Sequence, residues 1–392
     1  MSVSDFTAGQ RRVVVLMIVV VVASVAMLAG FVVTSLRTWE SPLPTATSSF
    51  TPLPSSTPAS LPPDLPAPSP SAFAEEGIWS QVQAARLFDQ IAHQVKTLRG
   101  LTPRAEVPLS FLDEQTMNVL LRRLHTGRDS ETGGQLRPYT ALGLLPDVSL
   151  SIQAHQVAGI YVPEEGQLYV AIGQQRNSVD DQAVLAHAYT HALQDQRFDL
   201  GAMDARAVTT DARLAVQALV EGDATLLTAL YRYGDLSATD WESLTELIVR
   251  AEQPEYGKDW DLLESWERLR RFPYWEGRRF AYALFQVGGW EVINRAYTDP
   301  PRSTEQVLHP ERYLEERDEI APVTVPLLDL ALGEGWTMLL QDTLGELVIG
   351  LYLEALLSPE MAWQAAEGWG GDTFVVWQHE DGRRVLVWRT IW

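Results

Sequence analysis

The sequence predicts an α+β fold with a mainly helical C-terminal part, set behind an N-terminal transmembrane helix. Three observations lead there. An uncharged apolar run lies near the start of the chain, and a proline-rich stretch follows it. The remaining residues begin with short strand-like runs among helices and then turn largely helical.

Residues 13–36 hold 24 positions without a charge, enough for the ~20 apolar residues that span a bilayer core. Arg11 and Arg12 precede the run, which by the positive-inside rule leaves residues 1–12 in the cytoplasm. A cleaved signal peptide has an apolar region of only about 7–15 residues, so an uncleaved single-pass anchor is expected. Residues 37–72 are expected to form a linker. Ten of the chain's 23 prolines fall within 41–72, mixed with Ser and Thr, as in Pro66-Ala67-Pro68-Ser69-Pro70. Proline removes backbone donors and the mixture offers little to bury, so an extended spacer is predicted. Residues 73–392 then form an extracytoplasmic globular domain.

Composition narrows the function. The net charge of −21 repels phosphates, which argues against nucleic acid as a partner and against lying flat on an anionic membrane. The membrane is expected to be met through the N-terminal helix alone. There is no cysteine, hence no disulfide, thiolate ligand or cysteine nucleophile. A metal site must be built from His, Asp and Glu.

Within the domain, residues 78–98 read as a helix with Ile78, Val82, Ala85, Leu87 and Ile91 as candidate buried positions. A strand is expected over 107–112 and a helix over 113–124. A hairpin follows, with 160–162 and 168–172 flanking the turn Glu164-Glu165-Gly166. Helical periods then occupy 211–231, 243–252, 260–270, 276–287 and 340–357. At the end, 373–379 and 384–392 bracket Asp381-Gly382, a strong hairpin signal. Late tryptophans, Trp369, Trp377, Trp388 and Trp392, serve either as core or as the lining of a groove.

The stretch that carries chemistry is residues 178–196. Ser178 and Asp181 have capping-box spacing, so a helix starts there. Within it, His187-Ala188-Tyr189-Thr190-His191 places two imidazoles at i and i+4, on one face, where they can share a metal ion; neutral imidazole suits zinc. Asp195, one turn further, is a candidate to orient a histidine from behind. Downstream, Glu221 interrupts an apolar helical run just before Gly222 and Asp223. A buried carboxylate is costly unless it is paired or metal-bound. Gly222 costs the helix about 1 kcal/mol relative to Ala, which predicts close packing of this helix against the site helix.

Residues 184–200 resemble a group of bacterial cell-envelope proteins of the gluzincin kind, whose motif is His-Glu-x-x-His followed by Ala-Leu-Gln-Asp-Gln. Gly159-Ile160-Tyr161, Glu221-Gly222-Asp223-Ala224, Tyr274-Trp275-Glu276-Gly277, Gly288-Gly289-Trp290, residues 303–310 and Gly368-Trp369-Gly370-Gly371-Asp372 are similar as well. The resemblance spans roughly 95–392. It implies a zincin-like metallopeptidase fold, Zn2+ held by His187, His191 and Glu221, and supporting roles for Asp195 and Asp223. His309 or Tyr274 would stabilise an oxyanion, and the hairpin over 159–172 would supply an edge strand for a peptide. His309 also fits a plain role at a helix C-terminus.

Two departures qualify what the resemblance implies. Ala188 stands where the group has its glutamate general base, and losing general acid–base help costs about 10²–10⁴ in rate. The resembling proteins also continue beyond the equivalent of Trp392 into another helix, which leaves a truncated C-terminus as one alternative. The expected function is a zinc-binding pseudopeptidase that holds peptides or proteins without efficient cleavage. Two alternatives stand: an active zinc peptidase with a relocated base, for which Glu164 and Glu165 are candidates, and a metal-free structural protein of the envelope.

Overall fold

Ser80 starts the first described helix because its hydroxyl accepts from the backbone N–H of Gln83, while the Gln83 side chain accepts from the N–H of Ser80. That helix, α1 (Gln81–Arg99), ends at Gly100 in the left-handed region with φ 68°. Its buried stripe runs through Ala84, Phe88, Ile91, Ala92 and Val95. Val82, expected inside, is exposed. The computed structural model describes residues 80–132, 152–153, 157–173, 178–252, 255–256, 264–315, 317–325, 332–354 and 356–392. The expected anchor, the whole of the expected linker and Ile78 lie outside them.

After α1 come β1 (Leu109–Leu112), α2 (Glu114–Thr132), β2 (Ile152–Gln153), β3 (Gly159–Val162) and β4 (Gln167–Ala171). The first sheet has the order β1-β4-β3. Strand β1 runs parallel to β4 with Leu109 opposite Leu168, and β3 runs antiparallel with Gly159 opposite Val170. The expected hairpin turn is a single 3-10 turn, Pro163–Glu165, closed by Gly166 at φ 60°.

The helices α3 (Val179–Phe198), α4 (Leu200–Arg206), α5 (Thr210–Tyr233) and α6 (Trp241–Glu252) follow. A side chain on Gly159 would meet Leu185 Cδ2 at 2.7 Å, so α3 lies tight against the sheet. Residues Ala183 to Gln194 of α3 are all buried, as expected of a helix enclosed on every side.

Strand β5 (Glu255–Tyr256) pairs with β2. Helix α7 (Glu264–Thr298) absorbs the two helices expected over 260–270 and 276–287. It contains Pro273 and breaks at Gly288 and Gly289, the latter at φ 62°. A Cβ on Gly222 of α5 would overlap the carbonyl of Gly277 on α7, and a Cβ on Gly277 would overlap that of Ala218. The close packing expected of Gly222 is therefore real, but its partner is α7, not the site helix.

The short helices α8 (Thr304–Leu308) and α9 (Pro310–Leu314) precede β6 (Trp336–Asp342), α10 (Gly345–Glu354), α11 (Pro359–Ala366), β7 (Gly371–His379) and β8 (Arg384–Ile391). The terminal hairpin gains β6 as a third strand, in the order β6-β7-β8. The helix expected over 340–357 is thus half wrong: residues to Asp342 are strand, with an irregularity between Met338 and Leu340, and helix begins at Gly345. The bulge disturbs the period-2 pattern that would have revealed the strand. Behind this sheet, Asp372 accepts from the indole N–H groups of Trp369 and Trp388, each at 3.0 Å, and from the backbone of Leu344 and Gly345. Trp369 is core. Trp392 is exposed.

The fold class needs correcting. A zincin-like α+β domain with a helical second part behind a membrane helix was expected. The described residues form a mixed, mostly helical chain whose strands make three small separate sheets at its beginning, middle and end. Most of the strands are too short to build a layer of their own, so helices α3, α5 and α7 supply the core. Among the described residues no helix is long and apolar enough to cross a membrane.

Candidate metal centre

The site helix begins as the sequence predicts. Ser178 Oγ accepts from the N–H of Asp181 at 3.0 Å, and Asp181 Oδ2 accepts from the N–H of Ser178 at 3.0 Å. One turn apart on this helix, the Nε2 atoms of His187 and His191 lie 3.1 Å from each other. Glu221, from α5, brings Oε2 to 3.3 Å from His187 Nε2 and 3.5 Å from His191 Nε2. Glu252, the last residue of α6, brings Oε1 to 3.3 and 3.4 Å from the same atoms. These four side chains form a group that could hold a metal ion.

The outer nitrogens decide how the imidazoles face. His191 Nδ1 lies 2.9 Å from Gln194 Oε1. The amide nitrogen of Gln194 donates to Val220 O and to Asp223 Oδ2, which fixes Oε1 as the atom turned to the histidine. His191 must then carry its hydrogen on Nδ1. His187 Nδ1 lies 3.3 Å from Thr228 Oγ1, whose own hydrogen is donated to Ala224 O at 2.7 Å. The hydroxyl oxygen is left to accept, so His187 Nδ1 carries the hydrogen too. Both Nε2 lone pairs therefore face the two carboxylates, the arrangement that metal-binding histidines take when a second partner fixes the tautomer.

Four acceptors facing one another need a cation or protons between them. The chain's electrostatics say the same. Burial disfavours charge on His187 and His191, but Glu252 and Glu221 outweigh it and raise both pKa values, that of His191 well above its ordinary range. Burial also disfavours charge on Glu252, yet the two imidazoles hold its carboxyl well below the usual range.

A further layer ties the group to the core. Asp223 receives Arg99 Nε at 2.8 Å and Nη2 at 3.0 Å, and Tyr297 donates to it at 2.7 Å. Arg99 and Asp223 are both fully buried. Asp223 is thus linked to His191 through Gln194. Asp195 is not: it accepts from Tyr161 Oη at 2.7 Å and from the N–H of Leu200 at 3.1 Å. The i+4 position shares the face of His191, but the phenol of Tyr161 claims its carboxylate.

Of the two oxyanion candidates, Tyr274 is at the site, where its hydroxyl donates to Glu252 Oε2 at 3.1 Å. His309 ends α8 and pairs with Glu346 at 2.9 Å, which matches the plainer helix-end role. Glu164 and Glu165 do not join the group; Glu165 pairs with Arg123 at 2.7 Å and also bonds Tyr169. Ala188 is buried among apolar neighbours that include Leu185, Tyr189 and Val170.

Sequence reasoning missed Glu252, Gln194 and Thr228. Gln194 had a signal, since it lies three residues after His191 and so on a neighbouring face. Glu252 had none, because a glutamate closing an amphipathic helix reads as solvent-facing.

A family described as a domain of unknown function (DUF8575) matches residues 337–392. That segment takes in most of β6 and all of α10, α11, β7 and β8, and contains none of the four converging residues. No curated protein and no solved structure matches the chain.

Proposed function

We propose that this protein is a zinc-binding pseudopeptidase: it holds a zinc ion at His187, His191 and Glu221 and engages a peptide or protein without cleaving it efficiently. One observation carries the proposal. Two imidazole lone pairs and carboxylate oxygens converge on one point, while position 188 of the same helix offers only a methyl group. A mixed imidazole and carboxylate donor set suits zinc. Zinc with an open position would supply Lewis-acid polarisation of a carbonyl. The chain's own part is to fix the imidazoles through Gln194 and Thr228 and to neutralise the ion's charge with carboxylate. Moving a proton to and from a scissile amide needs a base beside the ion, and Ala188 cannot serve.

The likeness of residues 184–200 to HExxH proteins supports the peptidase origin. Strand β3 supports the peptide-binding half, because it has β4 on one side and no strand on the other among the described residues. Such an edge can add an extended peptide through main-chain hydrogen bonds.

The test is incubation of the full-length chain, loaded with zinc, with an unfolded generic protein substrate, with and without a chelator. No chelator-sensitive cleavage is expected. Cleavage that the chelator abolishes would establish an active peptidase with its base elsewhere and overturn the proposal.

A further inference from the structure

We infer that Glu252 is the fourth protein ligand of the metal, so that the site is closed and leaves no coordination position for a substrate; this rests on the proposed metal binding and deepens it. The five separations among the donor atoms given above run from 3.1 to 3.5 Å. The sixth, between the two carboxylate oxygens, is within 4.8 Å. A regular tetrahedron with an edge near 3.3 Å has its centre about 2.0 Å from each corner, the length of a zinc–nitrogen or zinc–oxygen bond. The five separations match that edge, so four protein donors surround one ion-sized point.

Nothing in this geometry separates Glu252 from Glu221. Each places one oxygen 3.3 Å from His187 Nε2, and at 3.4 or 3.5 Å from His191 Nε2. Each is 18% exposed at its side chain. A general base would stand outside the donor set, within hydrogen-bond reach of an attacking water. Glu252 stands inside it. It is also held there, because Tyr274 donates to its other oxygen and leaves Oε1 to face the imidazoles. Tyr274 is itself buried among Ala229, Leu244, Ile248 and Val249, on the packing surface between α5, α6 and α7.

Structural zinc sites have four protein ligands, whereas catalytic sites keep one position open. By that rule hydrolysis is blocked twice, by the missing base at Ala188 and by the carboxylate of Glu252. Restoring the base alone with Ala188→Glu would then not restore cleavage.

The experiment loads the full-length chain with cobalt(II), whose visible spectrum reports coordination, and titrates it with azide. For wild type the expected result is one cobalt per chain and a spectrum that azide leaves unchanged. In Glu252→Ala and in the isosteric Glu252→Gln, cobalt still binds but at least about tenfold more weakly, the loss that even outer partners of metal ligands produce. In Glu252→Ala azide now shifts the spectrum. A wild-type spectrum that responds to azide, or unchanged cobalt affinity in both variants, would overturn the role of Glu252 while leaving metal binding standing. Failure of wild type to bind cobalt at all would overturn both.

Discussion

Gln194, not the aspartate beside it, faces His191: its Oε1 lies 2.9 Å from Nδ1 of the imidazole. Its amide is locked by Val220 O and Asp223, so the histidine has one tautomer and one orientation. Outer partners of this kind are worth 10–100-fold in metal affinity. Gln194→Ala is expected to weaken zinc binding by about that factor, as measured by competition with a chelating dye. Asp195→Ala should leave zinc affinity unchanged, because Asp195 serves Tyr161 and Leu200. Equal losses in both variants would contradict the assignment.

Glycines 222 and 277 let α5 and α7 touch backbone to backbone. Alanine normally favours a helix interior over glycine by about 1 kcal/mol, but here its methyl group would strike the carbonyl of the facing helix. Gly222→Ala is expected to destabilise the chain by roughly 3 kcal/mol, the upper end of overpacking effects, read from urea unfolding. Because Glu221 adjoins this contact, zinc affinity should fall as well. A stabilised variant would show that the helices are free to part.

Asp211 gives the chain a pH dependence unconnected with the metal group. It is fully buried, and burial pushes its pKa up to about 8, against the opposing pull of the Thr304 N–H and hydroxyl that donate to Oδ1. Asp372 and Glu305 add repulsion. The folded state therefore holds a proton that the unfolded chain releases near pH 4. Its stabilising contribution is complete below that pH and is lost as pH rises towards 8. Asp211→Asn keeps the acceptor for Thr304 and cannot ionise. Its melting temperature should gain on wild type steadily between pH 4 and 8 and stay level above that. A constant difference across the range would contradict a protonated Asp211.

What could be read from the sequence follows the range of the interactions. The capped site helix, the histidine pair and the hairpin over β3 and β4 are local, and each was legible. Glu221 was legible because a charge in an apolar helical run demands a partner. Glu252 reaches the site only because α6 folds back beside α3 and α5, which no local pattern records. Gly222 announced a close contact, but the site helix expected as its partner is not the helix it meets; that is α7. The end of strand β6, residues 340–342, was taken for helix and its start was not assigned, because its irregularity at Met338 and Leu340 hides the alternation and its partner β7 lies more than thirty residues further on. The segment 13–36 has a strong sequence signal but lies outside the described residues.

The most direct test of the central claim is the zinc content of the full-length chain, purified without a metal-binding tag and measured by elemental analysis beside a His187→Ala, His191→Ala variant. Near one zinc per chain, lost in the variant, is the predicted result. No zinc in the wild-type chain even after incubation with excess metal, or equal zinc in both, would contradict it.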